Sequence, residues 1–190
     1  MPRLPSFSAL ILAGGRGQRM GGRDKGLVPW RGEPLVAHVQ RVVRALSDDV
    51  VISCNRNQDL YRPFADQLVS DAEVGFPGPL AGVIAGLAVA RQEWVVVLAC
   101  DAPLIDQGLI EELLQLAVAN DSAAMVRQAG YWQPMFSVLP RRLLPVLEQA
   151  WAAGERSLQK ALLLEPVQGL ECAEDDRRLS NFNSPDLLQG

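Results

Sequence analysis

Between Leu12 and Gly26 the chain reads Leu12-Ala13-Gly14-Gly15-Arg16-Gly17-Gln18-Arg19-Met20-Gly21-Gly22-Arg23-Asp24-Lys25-Gly26, with six glycines and four cationic side chains. Glycines lack Cβ, so backbone N–H groups can turn toward an anion at close range, and the cations neutralise it. This composition suits a polyphosphate. A solvated surface loop is the plainer alternative. Two familiar phosphate loops do not fit. The GxxxxGK[ST] pattern fails because Lys25 stands between Asp24 and Gly26, and GxGxxG fails at Met20.

Further chemistry-bearing residues follow short apolar runs. Asp101 comes directly after Glu93–Ala99 (EWVVVLA) and Cys100. A hard carboxylate there can hold Mg²⁺ and bridge it to phosphate; it can equally cap the turn before Pro103. Asn55 and Asp71 follow two other runs. A carboxylate can accept two N–H bonds from a base and an amide can bond base or ribose, while each residue also fits an Asx turn. Phe76-Pro77-Gly78-Pro79-Leu80-Ala81-Gly82 reads either as a rigid turn presenting helix N–H groups to a ligand or as a plain Pro-Gly turn. Near the C-terminus, Asn181 and Asn183 precede Ser184-Pro185, itself an N-cap and first-turn signal. Arg156 and Gln133 show no specific spacing. His38, the single histidine, falls inside a helical pattern, which disfavours a base or metal role; Trp94, Trp132 and Trp151 read as packing residues.

The elements that must position these groups are legible as apolar runs alternating with helical periods. Ala9–Ala13, Val50–Ser53, Gln67–Ser70 and Glu93–Ala99 read as strands, and Leu35–Leu46, Pro79–Arg91 and Leu109–Ala119 as helices. Pro34 suits a first helical position. After about residue 122 strands follow one another without a full helix between them: Ala123–Val126, Met135–Leu139 and Pro166–Leu170, with helices at Arg141–Ala153 and Ser157–Leu164 and a helical turn at Pro185–Leu188. The expected fold is α/β, a three-layer, mainly parallel sheet with a mixed C-terminal part. Ligands of such sheets bind at the carboxyl ends of the strands, where Gly14-Gly15, Asn55, Asp71 and Asp101 all fall.

Bulk properties narrow the function class. At 190 residues, 48% hydrophobic and 21% charged, the chain has room for one globular domain. A net charge of −4 argues against a general nucleic-acid binder. Cys54, Cys100 and Cys172 are scattered and odd in number, as expected of reduced thiols. Ala9–Ala13 is too short for a signal-peptide core and no apolar stretch approaches a membrane span, so the expected compartment is the cytoplasm and no membrane partner is expected.

The string LAGGRGQRMGGRDKG resembles the LAGGxxxRMGxxDK signature of nucleotidyltransferases, and most closely that of the molybdenum cofactor guanylyltransferases (MobA-type). Sugar-nucleotide and cytidylyl relatives usually present Pro-Lys where this chain has Asp24-Lys25. The resemblance extends to Pro77–Gly82 (PGPLAG) and, less closely, to Asn181–Pro185. It implies a Rossmann-like nucleotidyltransferase fold, with residues 1–120 as the nucleotide-binding half and 121–190 as the acceptor-binding half. Leu12, Ala13, Gly14, Gly15, Lys25, Asn55, Asp71, Gly78 and Asp101 would hold GTP, with Lys25 and Arg19 on phosphate charge, Asp101 on Mg²⁺, and Asn181 and Asn183 toward molybdopterin. The implied reaction gives the guanine dinucleotide form of the cofactor plus pyrophosphate, by in-line attack of the acceptor's phosphate on the α-phosphorus of GTP. Such transfer relies on positioning and charge neutralisation, so it needs no histidine base. Expected partners are GTP, molybdenum-loaded molybdopterin, and any molybdoenzyme chaperone or cofactor-biosynthesis protein that delivers or receives the pterin. Spacing alone leaves open CTP, a sugar-phosphate acceptor, or a non-catalytic GTP-binding regulator.

Overall fold

The computed structural model describes residues 3–15, 21–71, 75 and 77–189. In chain order it forms β1 (Phe7–Leu12), a short hairpin of β2 (Pro29–Trp30) and β3 (Glu33–Pro34), α1 (Leu35–Arg44), β4 (Asp49–Ser53), α2 (Gln58–Tyr61) and β5 (Gln67–Val69). It continues through α3 (Pro79–Val89), β6 (Trp94–Ala99), α4 (Gln107–Asn120), β7 (Ala123–Gln128), β8 (Tyr131–Pro140), α5 (Leu144–Ala152), α6 (Leu158–Leu162) and β9 (Val167–Cys172).

The runs that look uniformly apolar become strands buried on both faces. All six residues of β1 and all six of β6 are buried, which is why neither shows apolar–polar alternation. Along β1, Ala9 and Ile11 face a layer holding α1 and α4, together with Val36, Val39, Ile110 and Leu113. Leu10 and Leu12 face the opposite layer of α3, α5 and α6, with Leu80, Val83, Leu147 and Leu158. Each fully buried Val or Leu stabilises the fold by about 1.5–3 kcal/mol, so these two clusters carry the sheet.

The seven strands lie in the order β5-β4-β1-β6-β8-β7-β9. β1 is parallel to β4 and β6, β4 is parallel to β5, and β7 is parallel to β9. β8 alone among them runs the other way, antiparallel to both β6 and β7. The sheet is thus mainly parallel with a mixed C-terminal part, as the patterning implies.

Differences from the sequence expectation have local causes. β8 starts at Tyr131, four residues earlier than its apolar run, because a two-residue turn at Ala129-Gly130 (φ 50° and 80°) folds it back on β7. Pro134 falls where the β7–β8 register shifts between Met125 and Val126, the kind of irregularity that tolerates a missing N–H. Pro34 caps α1 with extended backbone rather than occupying its first turn. The helix expected from Arg141 opens as a 3₁₀ turn, Arg141–Leu143, before Pro145 permits α5. The hairpin of β2 and β3, the single turn α2 and the 3₁₀ turn Arg177–Leu179 were not indicated by periodicity, each being too short to show a period.

Candidate active site

Three parallel ladders run one residue beyond their strands. Ala13 N donates to Ser53 O (2.8 Å), Cys54 N to Val69 O (2.9 Å) and Cys100 N to Leu12 O (3.2 Å). The chain then leaves the sheet at Gly14, Asn55 and Asp101, so these residues stand together at its carboxyl edge. On the face of the sheet that α3 covers, a cavity of about 420 Å³ is lined by Leu12, Gly14, Gly15, Ser53, Asp71 and Gly78, with Pro79, Gly82 and Met135 of β8 closing it. A charged cluster lies at the carboxyl end of β6.

Two glycines shape the cavity wall. Gly78 precedes α3 with φ 101°, ψ 178°, backbone that side-chain-bearing residues rarely adopt, and Pro79 begins the helix. The first N–H groups of α3 therefore open onto the cavity wall, favourable ground for an anion or a polar ligand edge. A Cβ on Gly82 would stand 2.7 Å from Ser53 Oγ and 3.0 Å from Leu12 Cδ2, so only glycine lets α3 lie this close to β1 and β4.

Asn55 and Asp71 are joined across two loops. Asn55 Nδ2 donates to Asp71 Oδ2 at 2.8 Å and Asp71 N donates to Asn55 Oδ1 at 2.9 Å. Their side chains thus serve each other, not isolated Asx turns. Burial pushes the Asp71 carboxyl above its ordinary range, and the Asn55 amide opposes that shift. Asn55 reaches the cavity's edge indirectly, through Asp71 and through Gly14, whose added Cβ would lie 3.2 Å from Asn55 Nδ2.

In the charged cluster, Lys25 Nζ lies 3.5 Å from Asp101 Oδ2 and donates to Asn183 Oδ1 at 2.8 Å. Asp101 is 7% exposed and its backbone O accepts Phe182 N at 2.7 Å, which ties the C-terminal strap to the end of β6. Phe182 is buried against Trp30, with ring centroids 5.1 Å apart and planes at 77°. Asn181 is drawn in by the same strap, and its Oδ1 is buried without a hydrogen bond among the described residues. Arg19, expected on phosphate, lies outside the described residues, as do Gly17 and Phe76. Arg156 stacks 3.8 Å over the Trp151 ring, and its backbone O would meet a Cβ on Gly78 at 3.9 Å. Gln133 is taken up in the β7–β8 pairing opposite Val126. His38, within α1, bonds Trp30 O through Nε2 at 2.9 Å.

Sequence reasoning missed Ser53, Gly82 and Met135 as lining residues, although Ser53 could have been found as the polar end of an apolar run. It also passed over Trp30. Among the described residues no group of three or more His, Cys, Asp or Glu is gathered to hold a metal. None of the described helices is long and apolar enough to cross a membrane.

A Gly-rich segment after the first parallel strand, a lysine and a carboxylate meeting at the carboxyl edge of the sheet, and a cavity beside them are the architecture of a nucleotidyltransferase. Comparison with known proteins places the chain within that class. Residues 9–167 match the MobA-like NTP transferase domain family. The molybdenum cofactor guanylyltransferase of Pseudomonas putida (strain GB-1) is 81% identical over 98% of this chain and 97% of its own length. That of Pseudomonas entomophila (strain L48) is 82% identical over 97% of each. The crystal structure of molybdopterin-guanine dinucleotide biosynthesis protein A from Archaeoglobus fulgidus superposes with a TM-score of 0.77 at 22% identity, covering 96% of this chain and 95% of that one. The chain belongs to the MobA-like NTP transferase family, and within it to the molybdenum cofactor guanylyltransferases.

Proposed function

We propose that the protein transfers GMP from GTP to molybdenum-bound molybdopterin, forming the guanine dinucleotide cofactor and releasing pyrophosphate. The observation that carries this is the meeting of Lys25, Asp101 and Asn183 at the carboxyl ends of β1 and β6, beside the cavity lined by Gly14, Gly15, Asp71 and Gly78. The nucleoside fits the cavity, where Asp71 can accept N–H bonds from guanine and the α3 N-terminus faces polar edges. The triphosphate then runs over the Gly14-Gly15 backbone toward Lys25, with Arg19 assigned to the same charge. Leu12 and Ala13 supply the floor, and Asn55 holds Asp71 in place. Residues 1–120 so form the nucleotide half. Residues 121–190 form the acceptor half, and Asn181, with its unbonded buried oxygen, points to the pterin side.

The donor set is compatible with Mg²⁺. Asp101 and Asn183 turn two oxygens onto one cation, the Lys25 ammonium, and a single carboxylate suffices for an ion that takes its remaining ligands from phosphate and water. Bound at Asp101, the ion would neutralise charge on the transferring phosphate. Lys25 holds the phosphates at a fixed distance from the acceptor's phosphate, and the buried setting of Asp101 strengthens each charge interaction. The acceptor phosphate is its own nucleophile, so no side chain need remove a proton. A cytoplasmic setting, with proteins that deliver the pterin or accept the product, agrees with the free thiols at Cys54, Cys100 and Cys172.

Pyrophosphate release from each of the four NTPs, with Mg²⁺ and molybdenum-loaded molybdopterin, tests the reading. Release from GTP alone, lost on chelation, is expected. Release from CTP instead would overturn the base assignment, and GTP binding without any release would indicate a regulator.

A further inference from the structure

The residues on either side of Lys25 meet a side chain that is not among those lining the cavity. Tyr61, at the end of α2, is fully buried. Its hydroxyl donates to Asp24 Oδ1. On the other side of Lys25, a Cβ added to Gly26 would lie 2.4 Å from the same hydroxyl and 3.1 Å from Cε1 of the ring. The phenol therefore abuts the chain on both sides of the lysine, bonded to one neighbour and in close packing with the other.

The rest of the 56–61 turn adds to this grip. Asn57 Nδ2 donates to Asp24 Oδ2 at 3.0 Å, Arg56 Nε lies 3.8 Å from the same oxygen, and Arg56 Nη1 donates to Gly22 O at 2.9 Å. The Asp24 side chain is only 6% exposed. Its charge is met by Tyr61, Asn57 and Arg56, while the Lys25 ammonium meets Asp101 and Asn183. Burial lifts the phenol's pKa well above its usual range, so the hydroxyl stays a donor wherever the protein is folded.

We propose that Tyr61 is a positioning residue for Lys25: its buried hydroxyl, set between the Asp24 carboxylate and Gly26, fixes the backbone from which the lysine reaches the phosphate site. The inference rests on the assignment of Lys25 to the phosphates of GTP. It explains why aspartate precedes the lysine and why glycine follows it.

The test compares the full-length protein with Tyr61→Phe, Lys25→Ala and the double variant, measuring the GTP Kd by calorimetry with Mg²⁺, kcat and KM for pyrophosphate release, and thermal unfolding. Tyr61→Phe is expected to weaken GTP binding by up to about tenfold, the bound set by a hydrogen bond to a charged group, since only the part of that bond that serves to place Lys25 is read in Kd. The same change added to Lys25→Ala is expected to alter Kd less than twofold. A purely structural tyrosine would give the same factor with and without Lys25, and that result overturns the proposal. So does a Tyr61→Phe protein with wild-type Kd and kcat/KM. Unchanged GTP affinity in Lys25→Ala would instead remove the lysine assignment, and the inference with it. Gly26→Ala gives a second arm, since its Cβ must displace the hydroxyl. Its loss of GTP affinity should shrink when Tyr61→Phe is added, and an equal loss in both backgrounds refutes the coupling.

Discussion

Replacing Asp101 by Asn separates two roles that the carboxylate could have. It lies 3.5 Å from the Lys25 ammonium, with 10% of its own side chain and 27% of the lysine's exposed. At that distance the Coulomb attraction is about 1.2 kcal/mol in bulk water and about 4.7 kcal/mol at an effective dielectric of 20. Desolvation of both groups reduces the net value to about 1–2 kcal/mol. Asp101→Asn preserves shape and removes the charge, while Lys25 keeps its bond to Asn183 Oδ1. Without metal, the incoming phosphates then meet a lysine no longer shared with a carboxylate, and GTP affinity in EDTA should rise by about five- to thirtyfold.

With Mg²⁺ the sign reverses. If Asp101 holds the ion, its loss removes a charge interaction that is strongest in the transition state, and kcat should fall by about 10²–10³. Calorimetry with GTP in EDTA and in Mg²⁺, beside pyrophosphate release, measures both. Turnover within tenfold of wild type would refute the metal assignment. Weaker GTP binding in EDTA would show that Asp101 serves to aim Lys25, and the electrostatic reasoning would fail.

The Asp71 carboxyl has its pKa raised by burial, so it takes up a proton at higher pH than an exposed aspartate and then loses its acceptor. GTP affinity should therefore decline on acidification at a pH above that at which an exposed aspartate protonates, and Asn55→Ala, which removes the bond opposing the shift, should move that midpoint upward; a pH-independent Kd would refute the guanine contact. Asp49 is fully buried at the start of β4, far from the site, and accepts from Ser8 Oγ (2.5 Å), Arg91 N (2.9 Å) and Gln67 Nε2 (3.2 Å). Asp49→Ala should lower stability to urea by about 2–4 kcal/mol through those orphaned donors while leaving KM for GTP unchanged. Phe182→Ala opens a cavity beside Trp30 and should reduce stability by about 3 kcal/mol. Because it also frees the strap bearing Asn183, kcat should drop; wild-type kcat in a destabilised protein would separate the strap from the chemistry.

The parts of this molecule that could be read from the sequence are those fixed by composition over a few adjacent residues. β1 and β6 announce themselves because both faces are buried, and the places where the chain leaves them, Gly14 and Asp101, follow by topology alone. Contacts between distant segments carry no such mark. Asn55 and Asp71 look like two turn residues until β4 and β5 pair and set them 2.8 Å apart. Tyr61 sits in a four-residue helix with an exposed leucine beside it, and nothing local shows that its hydroxyl ends at Asp24. The hairpin of β2 and β3 escaped because Arg31-Gly32, with φ 51° and 81°, is a weak turn signal between strands of two residues.

These hidden contacts share a consequence for how the site is completed. The glycine loop and Lys25 come from the first sixth of the chain, Asp101 from its middle, and Asn183 from its last turn. The strap returns because Leu179 and Phe182 are buried in two different clusters and because Arg178 binds Asp176 while approaching Asp106 and Glu112 at 3.6 and 3.7 Å. Such long-range closure costs loop entropy that the late hydrophobic contacts must offset. The lysine thus gains its second oxygen only after the final residues dock. Phe182 N bonds the backbone O of Asp101 itself, so the docked C-terminus is tied to the residue whose carboxylate faces Lys25.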